Sequence, residues 1–218
     1  MSLPTDLRAR IEADYTAVRP LPAPLLRAAW LLPFALLALV AAPAFFSVRA
    51  DAVRLGWTMT WGVSGIQIVL GFIILAAALR ESIPGRAWSV PAVIAWVATS
   101  VMVLIAATLA TWQVSPVPLR REWWAVGLIC VSGSAATALP IVALANVLAA
   151  RAYPTRPAIV GLLLGVSAGL MADAGWRLFC HFSEPSHVLS AHLGAVAMAA
   201  LAGSALAIWL KPDITRSG

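Results

Sequence analysis

The residues able to do chemistry in this chain are few, and most of them gather near its C-terminal end. Cys180, His181, His187 and His192 follow one another closely, with Asp173 and Arg177 just ahead of them and Cys130 further back. Thiolate and imidazole together suit thiophilic or borderline metals such as Cd, Cu or Zn. The set this suggests is Cys130, Cys180 and one or more of the histidines, His187 foremost, holding an ion transiently. Two other readings of the cysteines stand beside it. They can pair as a disulfide on an oxidising side, if their Cα atoms lie within about 7 Å, or pack as small hydrophobes. No CxxC is present, so spacing specifies neither a redox motif nor a disulfide framework. His187 and His192 are five apart, which a regular helix does not place on one face. That spacing puts His187 in a loop before the last apolar run, or leaves only one of the two as a ligand. Asp173 and Arg177 are spaced i,i+4 for a structural ion pair, the arrangement that best tolerates charge in an apolar stretch. The alternative is that Asp173 also touches a ligand, a proton or the tyrosine or serine hydroxyls of another span.

The elements that must position these groups are membrane spans. Of 218 residues, 61% are hydrophobic and 11% charged, and mean hydropathy is +0.90. A soluble domain carries about twice that charged fraction. Six apolar runs, at about 27–48, 56–79, 89–112, 123–149, 158–180 and 188–210, are each long enough to cross about 30 Å of hydrocarbon as a helix. The expected fold is all-α, a polytopic six-transmembrane-helix bundle. Its parts are an N-terminal segment 1–25, a membrane domain 26–210 and a tail 211–218. The first run is long enough to span rather than be cleaved, so it reads as a signal anchor. Pro33, Pro43 and Pro140 are expected to kink spans one and four. The net charge of +6 does not indicate nucleic acid. The arginines lie in short loops, where they set topology, and no basic cluster interleaved with aromatics occurs.

Lys and Arg are concentrated before span one, between spans two and three, between four and five, and after six. The positive-inside rule therefore puts both termini in the cytoplasm and the 181–187 loop outside. Cys130 then lies roughly 10 Å below the outer boundary at helical rise, in the same outer half as Cys180 and all three histidines. Gly161, Gly165 and Gly169 form a GxxxG ridge that lets another helix come close. Ahead of the membrane, Asp6 can cap a helix whose apolar stripe is Leu7, Ile11, Tyr15 and Val18. Pro20, Pro22 and Pro24 make a stiff connector. The stripe suits lipid headgroups, and equally the groove of a partner protein.

Two motifs add a resemblance. Val18-Arg19-Pro20-Leu21 stands before the first of six spans. Ala172-Asp-Ala-Gly-Trp176-Arg-Leu-Phe-Cys180-x-x-Ser183-x-Pro185-x-His187-Val-Leu-x-Ala-His192 joins the last two. Over nearly its whole length the chain resembles the NrsF family of bacterial inner-membrane anti-sigma factors, negative regulators of an extracytoplasmic-function (ECF) sigma factor, and Cys130 matches the family's other cysteine. The resemblance implies a cytoplasmic N-terminal segment that holds the sigma factor inactive, and a heavy-metal or oxidative signal at Cys130 and Cys180, with His187 and His192 in the family's histidine motif. It implies no catalytic residue and no enzyme. His181 departs from the pattern, standing where a proline is expected, so it either adds a ligand or replaces a turn residue. The rival class is a small transporter or a thiol–quinone redox protein. A transporter is expected to carry polar groups across several spans, whereas here Asp173 and Gln67 stand nearly alone.

Overall fold

The computed structural model describes Ala9, Ala13, residues 20–117 and residues 123–211. Asp6, the stripe Leu7, Ile11, Tyr15 and Val18, and residues 212–218 lie outside the described residues. Long apolar runs cannot leave backbone N–H and C=O groups unpaired in hydrocarbon, so they close their bonds internally as helices. Among the described residues, six helices are long and apolar enough to cross a membrane: α1 Pro24–Phe46, α2 Ala52–Glu81, α3 Val90–Val114, α4 Trp124–Ala150, α5 Pro157–Phe179 and α6 Pro185–Trp209. No strand occurs among the described residues.

Three helices depart from regularity. In α1 the helix breaks at Trp30–Leu31 and resumes at Leu32, with Pro33 in the new first turn, where a missing N–H costs nothing. In α2, Gly56 takes φ +71°, a conformation most residues avoid, and a π-helical turn follows at Thr58–Gly62. In α6 a second π-helical turn occupies Val188–His192, between the short turn Pro185–His187 and the regular helix Leu193–Trp209.

The helices are not equivalent. The apolar window of α5 is 83% buried inside the protein, against 22% for α1 and 28% for α3. Helix α5 is therefore the axle. It packs chiefly on α6 and α2, then on α1 and α4. Small residues make this possible: a Cβ on Gly165 would sit 2.1 Å from the Ala199 carbonyl oxygen, and one on Gly161 2.2 Å from that of Gly203. Gly169 meets Val196 on the same helix, so the glycine ridge lies directly against α6. On the opposite flank, a Cβ on Gly175 would lie 2.2 Å from the Ala38 carbonyl oxygen of α1.

Polar ties hold each end of the bundle. At one end Glu81 accepts from Arg156 at 2.6 Å and from the Trp88 backbone, while Arg80 stacks over the Trp88 ring at 4.1 Å. Arg27, at the start of α1, donates to the Leu148 carbonyl near the end of α4. The other end carries the 47–51, 115–117 and 180–184 loops.

Candidate functional site

Cys130 comes from α4, seven residues past Trp123. Cys180 ends α5, its N–H still bonded to the Trp176 carbonyl at 2.8 Å. The two sulfurs stand 3.5 Å apart, both as free thiols and both buried, with Val126, Val131, Phe182 and Ala191 around them. The His187 Nε2 lies 3.3 Å from the Cys180 sulfur. His192 completes the group: one ligand atom from each of Cys130, Cys180, His187 and His192 lies within 4.8 Å of the others.

The five-residue interval between the histidines, which a regular helix would split across two faces, is resolved by the π-helical turn. Its i→i+5 bonding brings residues five apart into line. His187 sits in the first turn of α6 rather than in a loop, and both rings face the thiols with centroids 5.7 Å apart. The sequence offered a loop position for His187 or a single histidine as ligand; the structure instead brings both rings to the thiols from one helix. His181 is the histidine that does stand aside: its ring lies against Phe182, centroids 4.2 Å apart, and its carbonyl accepts from Arg49.

Asp173 also does more than pair with Arg177. It is fully buried, and its Oδ2 accepts from Gln67 Nε2 at 2.8 Å and from Arg177 Nε at 3.2 Å. Its other oxygen, Oδ1, lies 2.6 Å from His192 Nδ1. Arg177 in turn donates to Thr108 of α3 at 2.8 Å. One carboxylate therefore joins α5 to α2 and α6, and through Arg177 to α3. The sequence reading left open a serine or tyrosine partner. The partners are instead an amide and an imidazole, and only Gln67 was visible in advance as a lone polar group.

Over the cluster lies a clasp that no spacing announced. Arg49 binds Asp51 through Nε at 2.6 Å and Nη2 at 2.9 Å, and its backbone N–H donates to the Leu178 carbonyl at 2.8 Å. Ser115 donates to Asp51 at 2.8 Å, and Ser183 donates to the Ser115 carbonyl while accepting from the Val117 N–H. Three loops are thereby tied beside Cys180. Burial raises the Asp51 carboxyl, but the hydrogen bonds from Arg49 and Ser115 outweigh it and leave its pKa below the ordinary carboxylate value.

Two thiols and two imidazoles at these distances form a donor set of the kind that takes a four-coordinate soft or borderline metal. The same two thiols are close enough to oxidise to a disulfide after a modest approach. A family of known proteins carries the chain: the model of NrsF, negative regulator of sigma F, matches residues 12–211. The chain belongs to the NrsF family. Neither curated proteins nor solved structures offer a match to it. As an NrsF-family member it is a negative regulator of a sigma factor, which is not an enzyme class, and its partner is a sigma factor.

Proposed function

We propose that this NrsF-family protein is a membrane-bound anti-sigma factor that holds an ECF sigma factor at the cytoplasmic side of the bacterial inner membrane and releases it on a heavy-metal or oxidative signal. The observation that carries this reading is the convergence of Cys130, Cys180, His187 and His192 at the end of the bundle opposite the N-terminal connector. Both termini are cytoplasmic in this reading, on the distribution of arginines. The thiol cluster then faces outward, and Cd, Cu or Zn is an external signal rather than a resident cofactor. The N-terminal stripe Leu7, Ile11, Tyr15 and Val18 is the surface offered to the sigma factor.

The packing supplies a route between the two ends. Cys130 rides on α4, and the Leu148 carbonyl near the far end of that helix accepts from Arg27, next to the connector. A disulfide that draws α4 toward α5, or a metal that ties α4 to α6 through the histidines, thus bears on the start of α1. Shifts of about 1–2 Å between packed helices are a recognised switching motion. For the signal to work, it must bind or bond more favourably in the released arrangement than in the holding one.

Reporter induction in cells tests the sensing half. Cys130→Ser and Cys180→Ser, each in the full chain, are expected to abolish the response of the sigma-dependent promoter to Cd(II) or to a thiol oxidant. A full response in both variants overturns the sensor reading. Pull-down of the co-expressed sigma factor by full-length protein, with Ile11→Asp and Tyr15→Asp as comparison, tests the holding half.

A further inference from the structure

We infer that Asp173 is a positioning residue for the thiol site, holding the His192 ring so that its Nε2 faces Cys130 and Cys180. The inference rests on the sensor reading for its consequence and on the geometry alone for its substance. A structural ion pair would need only the contact between Arg177 Nε and Asp173 Oδ2, at 3.2 Å. Gln67 on that same oxygen and Thr108 on Arg177 already complete such a pair. The second carboxylate oxygen is spent differently, on His192 Nδ1 at 2.6 Å, across the α5–α6 interface.

That contact fixes one proton. A carboxylate accepts hydrogen bonds, so the Nδ1 facing it carries a proton, and in the neutral ring Nε2 is then the nitrogen with the lone pair available to a metal. Carboxylate–histidine pairs of this kind fix ring orientation and tautomer behind metal-binding imidazoles. Asp173 is itself held from two sides, by Gln67 of α2 and by Arg177 four residues on, so its own rotamer is fixed. The neighbouring imidazole provides an internal contrast. His187 presents Nε2 to the Cys180 sulfur at 3.3 Å, but its buried Nδ1 has no partner. The site therefore has one histidine braced from behind and one that is not. Gly169, four residues before Asp173, packs against Val196, four after His192, and keeps the two helices close enough for the brace to reach.

The test is made on the reduced full-length chain in detergent, in two measurements. Long-range nitrogen–proton NMR of histidine-labelled protein reads the tautomers without any metal. At a pH where the ring is neutral, His192 is expected as the Nδ1–H form in the wild type and as a mixture in Asp173→Asn. An Nε2–H tautomer in the wild type overturns the inference even if the variant does not fold. The second measurement is Cd(II) titration followed by the thiolate charge-transfer band. Asp173→Asn is expected to bind 10- to 100-fold more weakly than wild type, the loss typical of a removed outer partner. Its band per bound ion should be unchanged, because both thiolates still ligate, and Asp173→Glu should recover part of the affinity. Equal affinity in wild type and Asp173→Asn overturns the inference while leaving the sensor reading intact. A wild type that takes up no Cd(II) overturns the metal half of that reading, and the NMR result then decides the inference alone.

Discussion

Removing one imidazole should separate a metal response from an oxidant response, because the two signals draw on different atoms. A tetrahedral site with metal–sulfur bonds of ~2.3 Å holds its two sulfurs about 3.8 Å apart. The Cys130 and Cys180 sulfurs already stand at 3.5 Å. A disulfide instead needs them at ~2.05 Å, an approach of about 1.5 Å from that starting point. A metal thus takes the thiols where they are and draws in the histidines of α6, while oxidation pulls α4 toward α5 and needs no histidine. Four-ligand zinc sites contribute ~10–16 kcal/mol, so one ligand of four accounts for about 3 kcal/mol. At 1.4 kcal/mol per tenfold, its loss is about a 100-fold drop in affinity. His192→Ala and Cys130→Ser should each weaken Cd(II) binding by that order in purified full-length protein, read by competition with a chelator of known affinity. Diamide should still form the disulfide in His192→Ala and fail to in Cys130→Ser, read by alkylation mass shift. A His192→Ala protein that keeps its Cd(II) affinity within about threefold, while Cys130→Ser loses it, would refute the four-ligand reasoning.

Gly165→Ala places a Cβ 2.1 Å from the Ala199 carbonyl oxygen, where ordinary contact begins near 3.4 Å. Overpacking of this kind costs about 1–3 kcal/mol, which reversible unfolding in mixed micelles should register. Gly127→Ala, with nothing within 4 Å of the added carbon, should show no such loss. Arg27→Gln removes the charged donor to the Leu148 carbonyl and should alter basal sigma release more than it alters Cd(II) affinity, because the thiols lie at the other end. Equal effects on both would count against the α4–α1 route. The Asp51 carboxyl has a native pKa below its unfolded one, so its contribution is complete above the unfolded value of about 4 and is lost as pH falls through the lowered native value. Thermal unfolding between neutral and strongly acidic pH should therefore show a smaller acid loss in Asp51→Asn than in the wild type.

Much of this molecule is legible one residue at a time. Membrane helices are read from apolar length because hydrocarbon leaves the backbone no other partner. The glycine spacing 161, 165, 169 announced a close helix contact, though not that α6 would be the neighbour. Cys130 and Cys180 were placed in one half of the bundle by counting helices, without a distance. The histidines resisted for a specific reason. A five-residue interval is off-face only if the helix is regular, and the π-helical turn at Val188–His192 is a local irregularity that no residue in it declares.

What the sequence by itself determined is therefore the number and length of the helices and the presence of a small set of thiol, imidazole and carboxylate groups near one end. Tertiary structure alone decided which of those groups meet. It put His192 rather than His181 beside the thiols, gave the second oxygen of Asp173 to His192, and tied Arg49, Asp51, Ser115 and Ser183 over Cys180. The physical reason is one of range. Helix formation in hydrocarbon is settled by bonds between residues four or five apart, whereas each contact of the site joins helices whose relative rotation depends on packing along their whole length.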